Sequence, residues 1–307
     1  MGRGLLLRSY EIPGTIVEDL GFRTRYGFYR DIEGIKGGYS DKFFEIYLFQ
    51  GRPLNNLVPP NLNENNLKRP HLLEGIEGRF YLSDWQIGTT YLRDNIEDKV
   101  HEYGALSVGT ILLFDLQIYG EYTRKTGGDN GLFDLSDETA HALYASINGQ
   151  FDAIGVIFEY KDYNDFQLGY NDPPSLVKEH QYLLLNRNTH SVAAINETGW
   201  QSEFYYAFEG GHLLNINLSE AVNTLFDKRY IFQEQFAEFS FNLNPSSTIK
   251  GYIDRNMEDL LAIKDRYTAG VYYESAFSEL WGTTIDFAYQ TLNYTQGDKD
   301  RYYTIRR

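Results

Sequence analysis

Acidic and tyrosine side chains at alternating positions are the groups in this sequence best placed to do chemistry. Glu45, Asp115, Glu121, Glu159, Glu203, Glu274 and Asp286 fall on the polar side of alternating runs, and Tyr119, Tyr205 and Tyr272 share that side. Lys161, Lys250 and Arg255 are the fewer cations set against them. If those sides line a passage, the excess of carboxylates lowers the energy of cations there and raises that of anions. Inward phenol rings could stack on sugar rings. The blander alternative is that any wet interior is polar and that its acidity follows the whole chain, which has 43 Asp+Glu against 28 Lys+Arg and a net charge of −15. The bland reading suffices for each residue alone, and the sum points to a passage for cations or neutral solutes.

A second group lies in the stretch 162–197, which is long for a connection inside an ordered fold. It carries Lys178, His180, Arg187 and His190, the rigid Asp172-Pro173-Pro174, and the apolar residues Leu176, Val177, Tyr182, Leu183, Leu184 and Leu185. That apolar content predicts a segment folded over or into a cavity mouth, as a constriction or a cap. His180 and His190 are ten residues apart, which matches no recognised metal-ligand spacing, so each is read as a packing or surface histidine. The acidic loop 127–138 lacks the order of oxygen ligands in a calcium loop and reads as a solvated tip.

Other chemistries are missing. The chain has no Cys, so thiolate metal sites, disulfides and cysteine nucleophiles are excluded. No G-x-S-x-G, H-E-x-x-H or P-loop sequence occurs, and neither catalysis nor a cofactor is expected. The acidic balance argues against a nucleic-acid partner. No apolar run approaches the roughly 18 residues of a membrane-spanning helix.

The elements that position these residues read as strands. Trp281, Thr283, Ile285, Phe287 and Tyr289 alternate with Gly282, Thr284, Asp286, Ala288 and Gln290, the period of a strand with two unlike faces. Similar runs give about fifteen strands, at 33–39, 42–50, 75–83, 85–94, 100–109, 111–123, 139–148, 151–162, 198–208, 211–220, 230–242, 247–257, 266–276, 280–294 and 301–307. Short helices are candidates only at 219–227 and 257–263. Short connections, such as 40–41, 84, 110 and 149–150, alternate strictly with longer ones at 51–74, 95–99, 124–138, 163–197, 221–229, 258–265 and 295–300.

That arrangement predicts an all-β, antiparallel up-and-down transmembrane β-barrel, with tight turns at one end and long loops at the other. A soluble sandwich or propeller shares the alternation but accounts less well for the strand number and the loop pattern. Trp85, Trp200 and Trp281 stand near strand starts on the apolar side, as an interfacial girdle would place them. On 230–243, Gln233 and Gln235 precede Ala237, Phe239, Phe241 and Leu243 on one face, as in a strand that begins above a membrane and then enters it. The start, MGRGLLLRSYEIPG, has neither the basic lead nor the apolar core of a secretory signal. The expectation is one barrel domain over 1–307, cut at both ends from a longer exported chain of 16 or more strands, with 1–32 as its entry segment.

Three segments carry a family resemblance. Gly2-Arg3-Gly4-Leu5-Leu6-Leu7-Arg8-Ser9-Tyr10-Glu11 is one. The second is Tyr170-Asn171-Asp172-Pro173-Pro174-Ser175-Leu176-Val177-Lys178-Glu179-His180, followed by Leu184-Leu185-Asn186-Arg187 and His190. Glu197-Thr198-Gly199-Trp200-Gln201 is the third. Together they resemble an uncharacterised family of Bacteroidetes-type outer-membrane proteins, over the front and middle of the chain. The resemblance implies a barrel in the outer membrane of a Gram-negative bacterium, and supplies no catalytic residues.

Function is therefore expected to be porin-like passage or binding of small solutes or cations, with lipid as the surrounding partner and protein partners unknown. One alternative is a non-conducting barrel that anchors surface or periplasmic partners. Another is a soluble secreted protein that binds glycans.

Overall fold

A computed structural model describes residues 15–16, 30–53, 71–96, 99–126, 140–166, 180–188, 196–225, 227–278 and 281–306. Alternating side chains make these segments into strands: β1 (Thr15–Ile16), β2 (Arg30–Ser40), β3 (Phe44–Pro53), β4 (His71–Leu82), β5 (Trp85–Ile96), β6 (Lys99–Ile111), β7 (Gln117–Thr126), β8 (His141–Phe151), β9 (Ile154–Asn164), β10 (Glu197–Ala207), β11 (Leu213–Leu225), β12 (Lys228–Asn244), β13 (Ser247–Glu258), β14 (Ile263–Ala276), β15 (Gly282–Tyr294) and β16 (Lys299–Arg306). They form one sheet in which each strand pairs antiparallel with its neighbours in sequence. Among the described residues no ladder joins β16 to β1 or β2, so the sheet is open there.

The fifteen long strands, β2 to β16, correspond one to one with the alternating runs of the sequence. The helices expected at 219–227 and 257–263 are not formed. The first stretch continues β11 to Leu225, because Glu220, Val222 and Thr224 find partners on β12 at Gln233, Ile231 and Arg229. The second is the end of β13 and a tight turn, in which the Ala262 N–H donates to the Asp259 carbonyl at 3.0 Å. The run at 111–123 is also divided. β6 extends through Thr110 to Ile111, a turn closes with Leu112 N–H on the Leu116 carbonyl at 2.8 Å, and β7 begins at Gln117.

The strict alternation of loop lengths does not hold. At one end the connections are 41–43, 83–84, 112–116, 152–153, 208–212, 245–246 and 277–281, all of five residues or fewer. At the other, 54–70, 127–140 and 165–196 are long, but the strands stay paired to Ile96↔Lys99 and Leu225↔Lys228, which leaves only two residues in each of those connections. The short-turn end is well fastened. In the first of its turns Asp41 accepts the N–H groups of Phe43 at 2.7 Å and Phe44 at 2.9 Å, which hold its carboxyl below the usual carboxylate range.

The two faces of the sheet differ, with large apolar residues on the exposed one and many polar residues on the buried one. On β13, Ile253 is 63% exposed while its neighbour Asp254 is 3% exposed. On β15, Ile285 and Phe287 are exposed, and Asp286, Ala288 and Gln290 are buried. The register carries this from strand to strand, since buried Glu203, Asn217, Phe236, Asp254, Thr268 and Gln290 are successive cross-strand partners on β10 to β15. The outer row beside them includes exposed Leu218, Ile253 and Tyr267.

Candidate functional site: the enclosed polar face and its inserted segment

Because strand parity decides the face, most of the acids and tyrosines named from the sequence reach the buried side of the sheet. Glu121, Glu159, Glu203 and Asp286 are buried there, and Glu45 and Glu274 are half-buried. Each enclosed acid finds a phenol or a cation. Glu121 accepts the Tyr119 hydroxyl at 2.7 Å, and Glu274 that of Tyr272 at 3.2 Å. Glu203 takes the hydroxyl of Tyr205 and Glu159 that of Tyr144. Asp286 receives Tyr252 at 3.4 Å, and Glu45 stands opposite Arg79 across β3 and β4. In three of these pairs the tyrosine and the acid are two residues apart on one strand, side by side on the same face.

Two assignments are corrected. Asp115 is exposed in the turn between β6 and β7, at φ 56°, because the chain leaves the sheet at Leu112. Arg255 faces outward, sharing the parity of Ile249 and Ile253, and pairs with Asp265 at 3.0 Å on the outer surface. Lys161 and Lys250 do face inward. Lys161 is fully buried in an ion pair with Glu197, which also accepts Asn223 at 3.3 Å. Lys250 stands 5.6 Å from the centre of the Tyr272 ring.

Two described parts of the connection from β9 to β10 pack against the buried polar face. At its start Phe166 is completely buried with Leu73, Leu92, Tyr103, Ala142, Tyr144 and Tyr163, inward residues of β4, β5, β6, β8 and β9. Further along, His180, Tyr182, Leu184 and Leu185 are buried against β12 to β15. His180 Nε2 lies 3.2 Å from Glu234, and its ring centre is 4.3 Å from that of Phe236. Tyr182 stacks on Tyr252 with ring centres 3.6 Å apart and donates its hydroxyl to Glu238. Gln290 donates to the Leu184 carbonyl at 2.9 Å. The turn closes on itself through Asn186, which accepts the His180 N–H at 3.1 Å and donates to its carbonyl. Arg187 belongs to the 3₁₀ turn Leu185–Asn188. Lys178, His190 and the acidic loop 127–138 lie outside the described residues, as does most of the entry segment 1–32.

Several buried groups were not named from the sequence: Asp94 with His71 at 2.8 Å, and Glu234 and Asp254 flanking Arg266 at 3.9 and 3.8 Å. Inward parity on β5, β12, β13 and β14 was the signal available for them. Among the described residues no group of three acids or histidines is arranged to hold a metal ion. Chemically, the arrangement offers carboxylates, phenols and amides to a polar solute, narrowed by an inserted segment. No protein-family model matches the chain, and no curated protein does.

Proposed function

We propose that the chain is a transmembrane β-barrel of a Gram-negative outer membrane that passes or binds small neutral or cationic solutes, with the segment after β9 as its internal constriction. One observation supports this above the others, the inversion of faces typified by exposed Ile253 beside buried Asp254. An apolar face turned outward is costly in water and favoured in hydrocarbon, while an unpaired sheet edge in hydrocarbon is not tolerated. The reading therefore includes closure of the sheet and short turns on the periplasmic side. The outer surface also has the right zoning. On β5 the outward residues Trp85, Ile87, Thr89 and Tyr91 give way to Arg93 and Asn95. On β12 and β11 the Gln233–Glu220 bond, at 2.6 Å, lies beyond the band of Phe239, Phe241 and Leu243. Trp281 and Trp85 are exposed at the short-turn rim. The proposal keeps the kinship with Bacteroidetes-type outer-membrane proteins and a non-enzymatic role.

The test is expression with an export signal in a Gram-negative host. Resistance to urea extraction from outer membranes, heat-dependent gel migration and cation-preferring conductance in planar bilayers are the expected results. A soluble product with no migration shift rejects the barrel. A shifted product that never conducts favours the anchoring role instead.

A further inference from the structure

Resting on the barrel reading, we propose that Tyr182 is a built-in occupant of a sugar-ring site in the enclosed wall, and that a pyranose solute competes with it for Tyr252 and Glu238. The wall at this point is assembled from β12, β13 and β14. Tyr252 gives a flat face, with the Tyr182 ring 3.6 Å above it at an interplanar angle of 13°. Tyr272 closes one side edge-on at 6.1 Å, and the Glu238 carboxylate accepts the hydroxyl at the rim of the bound ring. An aromatic platform with a carboxylate at ring height matches a pyranose, whose C–H face packs on the platform while a hydroxyl donates at its edge.

A second observation, independent of the stacking, favours a ring with several hydroxyls over a phenol. Asn215 stands directly across from Glu238 and Asn217 across from Phe236, both inward and buried. Among the described residues, Asn215 Oδ1 and both amide atoms of Asn217 make no hydrogen bond. Tyr182 has one hydroxyl, which Glu238 takes, so the phenol leaves these amides unmet. A pyranose carries further hydroxyls that can donate to and accept from them, and buried amides gain most from such partners. The occupant is also replaceable. It belongs to a short turn held to the wall by contacts of His180 and Tyr182, by the buried Leu184 and Leu185 and by the Gln290 bond to the Leu184 carbonyl, with no strand pairing. Displacing Tyr182 would therefore loosen the constriction, so that solute binding and opening are one event.

The absence of cysteine makes a direct test possible. Leu185 is 2% exposed in the same buried cluster, so Leu185→Cys in the full chain places a single thiol where only withdrawal of the turn exposes it. Leu184→Cys is the second position should the first variant fail to fold. Maleimide labelling in detergent micelles is measured with glucose, maltose, the open-chain polyol sorbitol and p-cresol, the isolated tyrosine side chain. The expected result is a saturable, severalfold acceleration by glucose or maltose that sorbitol does not reproduce. In Tyr252→Ala/Leu185→Cys labelling becomes independent of sugar. Sugar-independent labelling in the parent, or acceleration by p-cresol alone, overturns the sugar site. Heat-dependent gel migration of the same samples separates the two claims. A chain without the shift rejects the barrel and this site together, whereas a shifted chain with sugar-independent labelling rejects the site only.

Discussion

The described parts of the segment after β9 touch two regions of the buried polar face, which hold it by a different balance of forces. On the β4–β9 side Phe166 enters a cluster of Leu73, Leu92, Tyr103 and Ala142, meeting Tyr103 edge-on with ring centres 6.2 Å apart. Dispersion and burial act there, and neither depends strongly on direction. On the β12–β15 side Tyr182, Leu184 and Leu185 are also buried with Phe236, Tyr252 and Ala288, but polar contacts are added: Tyr182 to Glu238, Gln290 to the Leu184 carbonyl, and His180 3.2 Å from Glu234. A directional contact can be exchanged for one with water or solute at small net cost, because hydrogen bonds are replaced one for another. Extracting Phe166 has no such compensation; Leu184 and Leu185 share that apolar cost, so the exchangeable polar contacts are what set the second side apart. The difference implies a hinge-side anchor that stays in place and a tip-side anchor that can be released.

The largest effect is expected at the root that both anchors share. Lys161 on β9 and Glu197 on β10 flank the segment and are fully buried together. Lys161→Met leaves the Glu197 charge without its cation and should destabilise the protein by about 3–5 kcal/mol. Urea unfolding in micelles measures it, and a loss under 1 kcal/mol would mean that water reaches the pair. Next comes the apolar anchor. Phe166→Ala should cost about 3 kcal/mol through the cavity it leaves, read by the same unfolding midpoint. If Phe166→Ala alters only conductance and not stability, the contrast between a fixed and a releasable anchor fails.

How far this was legible in the sequence follows from the range of the forces. Period-2 alternation reports a strand from its own residues, which is why all fifteen long strands can be read, with Ile285 and Asp286 on opposite faces. Chemistry alone misleads where parity decides. Arg255 is charged and yet outward, since it follows Ile253 by two residues and finds Asp265 on the next strand. Asp115 fails for another reason, because a turn at 112–116 interrupts what alternation reads as one run. Long connections at 95–99 and 221–229 could not be told from hairpins, since the pairs that shorten them lie across two strands. The tip-side anchor was the least legible. His180 is visible as a histidine, but its partner Glu234 is brought to it only by packing of distant strands.

Two smaller changes separate the parts of the releasable anchor. Asn186 acts within the turn, which its amide closes by bonding both backbone groups of His180. Asn186→Ala should therefore cost about 1–2 kcal/mol of local stability, seen as faster hydrogen exchange at 180–186 with the global unfolding midpoint nearly unchanged. Tyr182→Phe is the finest division. It keeps the ring on Tyr252 and deletes only the hydroxyl that Glu238 accepts, leaving a half-buried carboxylate able to turn toward water. The expected loss is about 1 kcal/mol, and under the proposed channel function closures become briefer with no change in open conductance. If Tyr182→Phe instead matches Phe166→Ala in stability, the Tyr182 hydroxyl is as structural as the apolar cluster, and the two walls hold the segment alike. Exchange at 180–186 decides between them, since a releasable tip opens without unfolding the sheet and a structural one opens only with it.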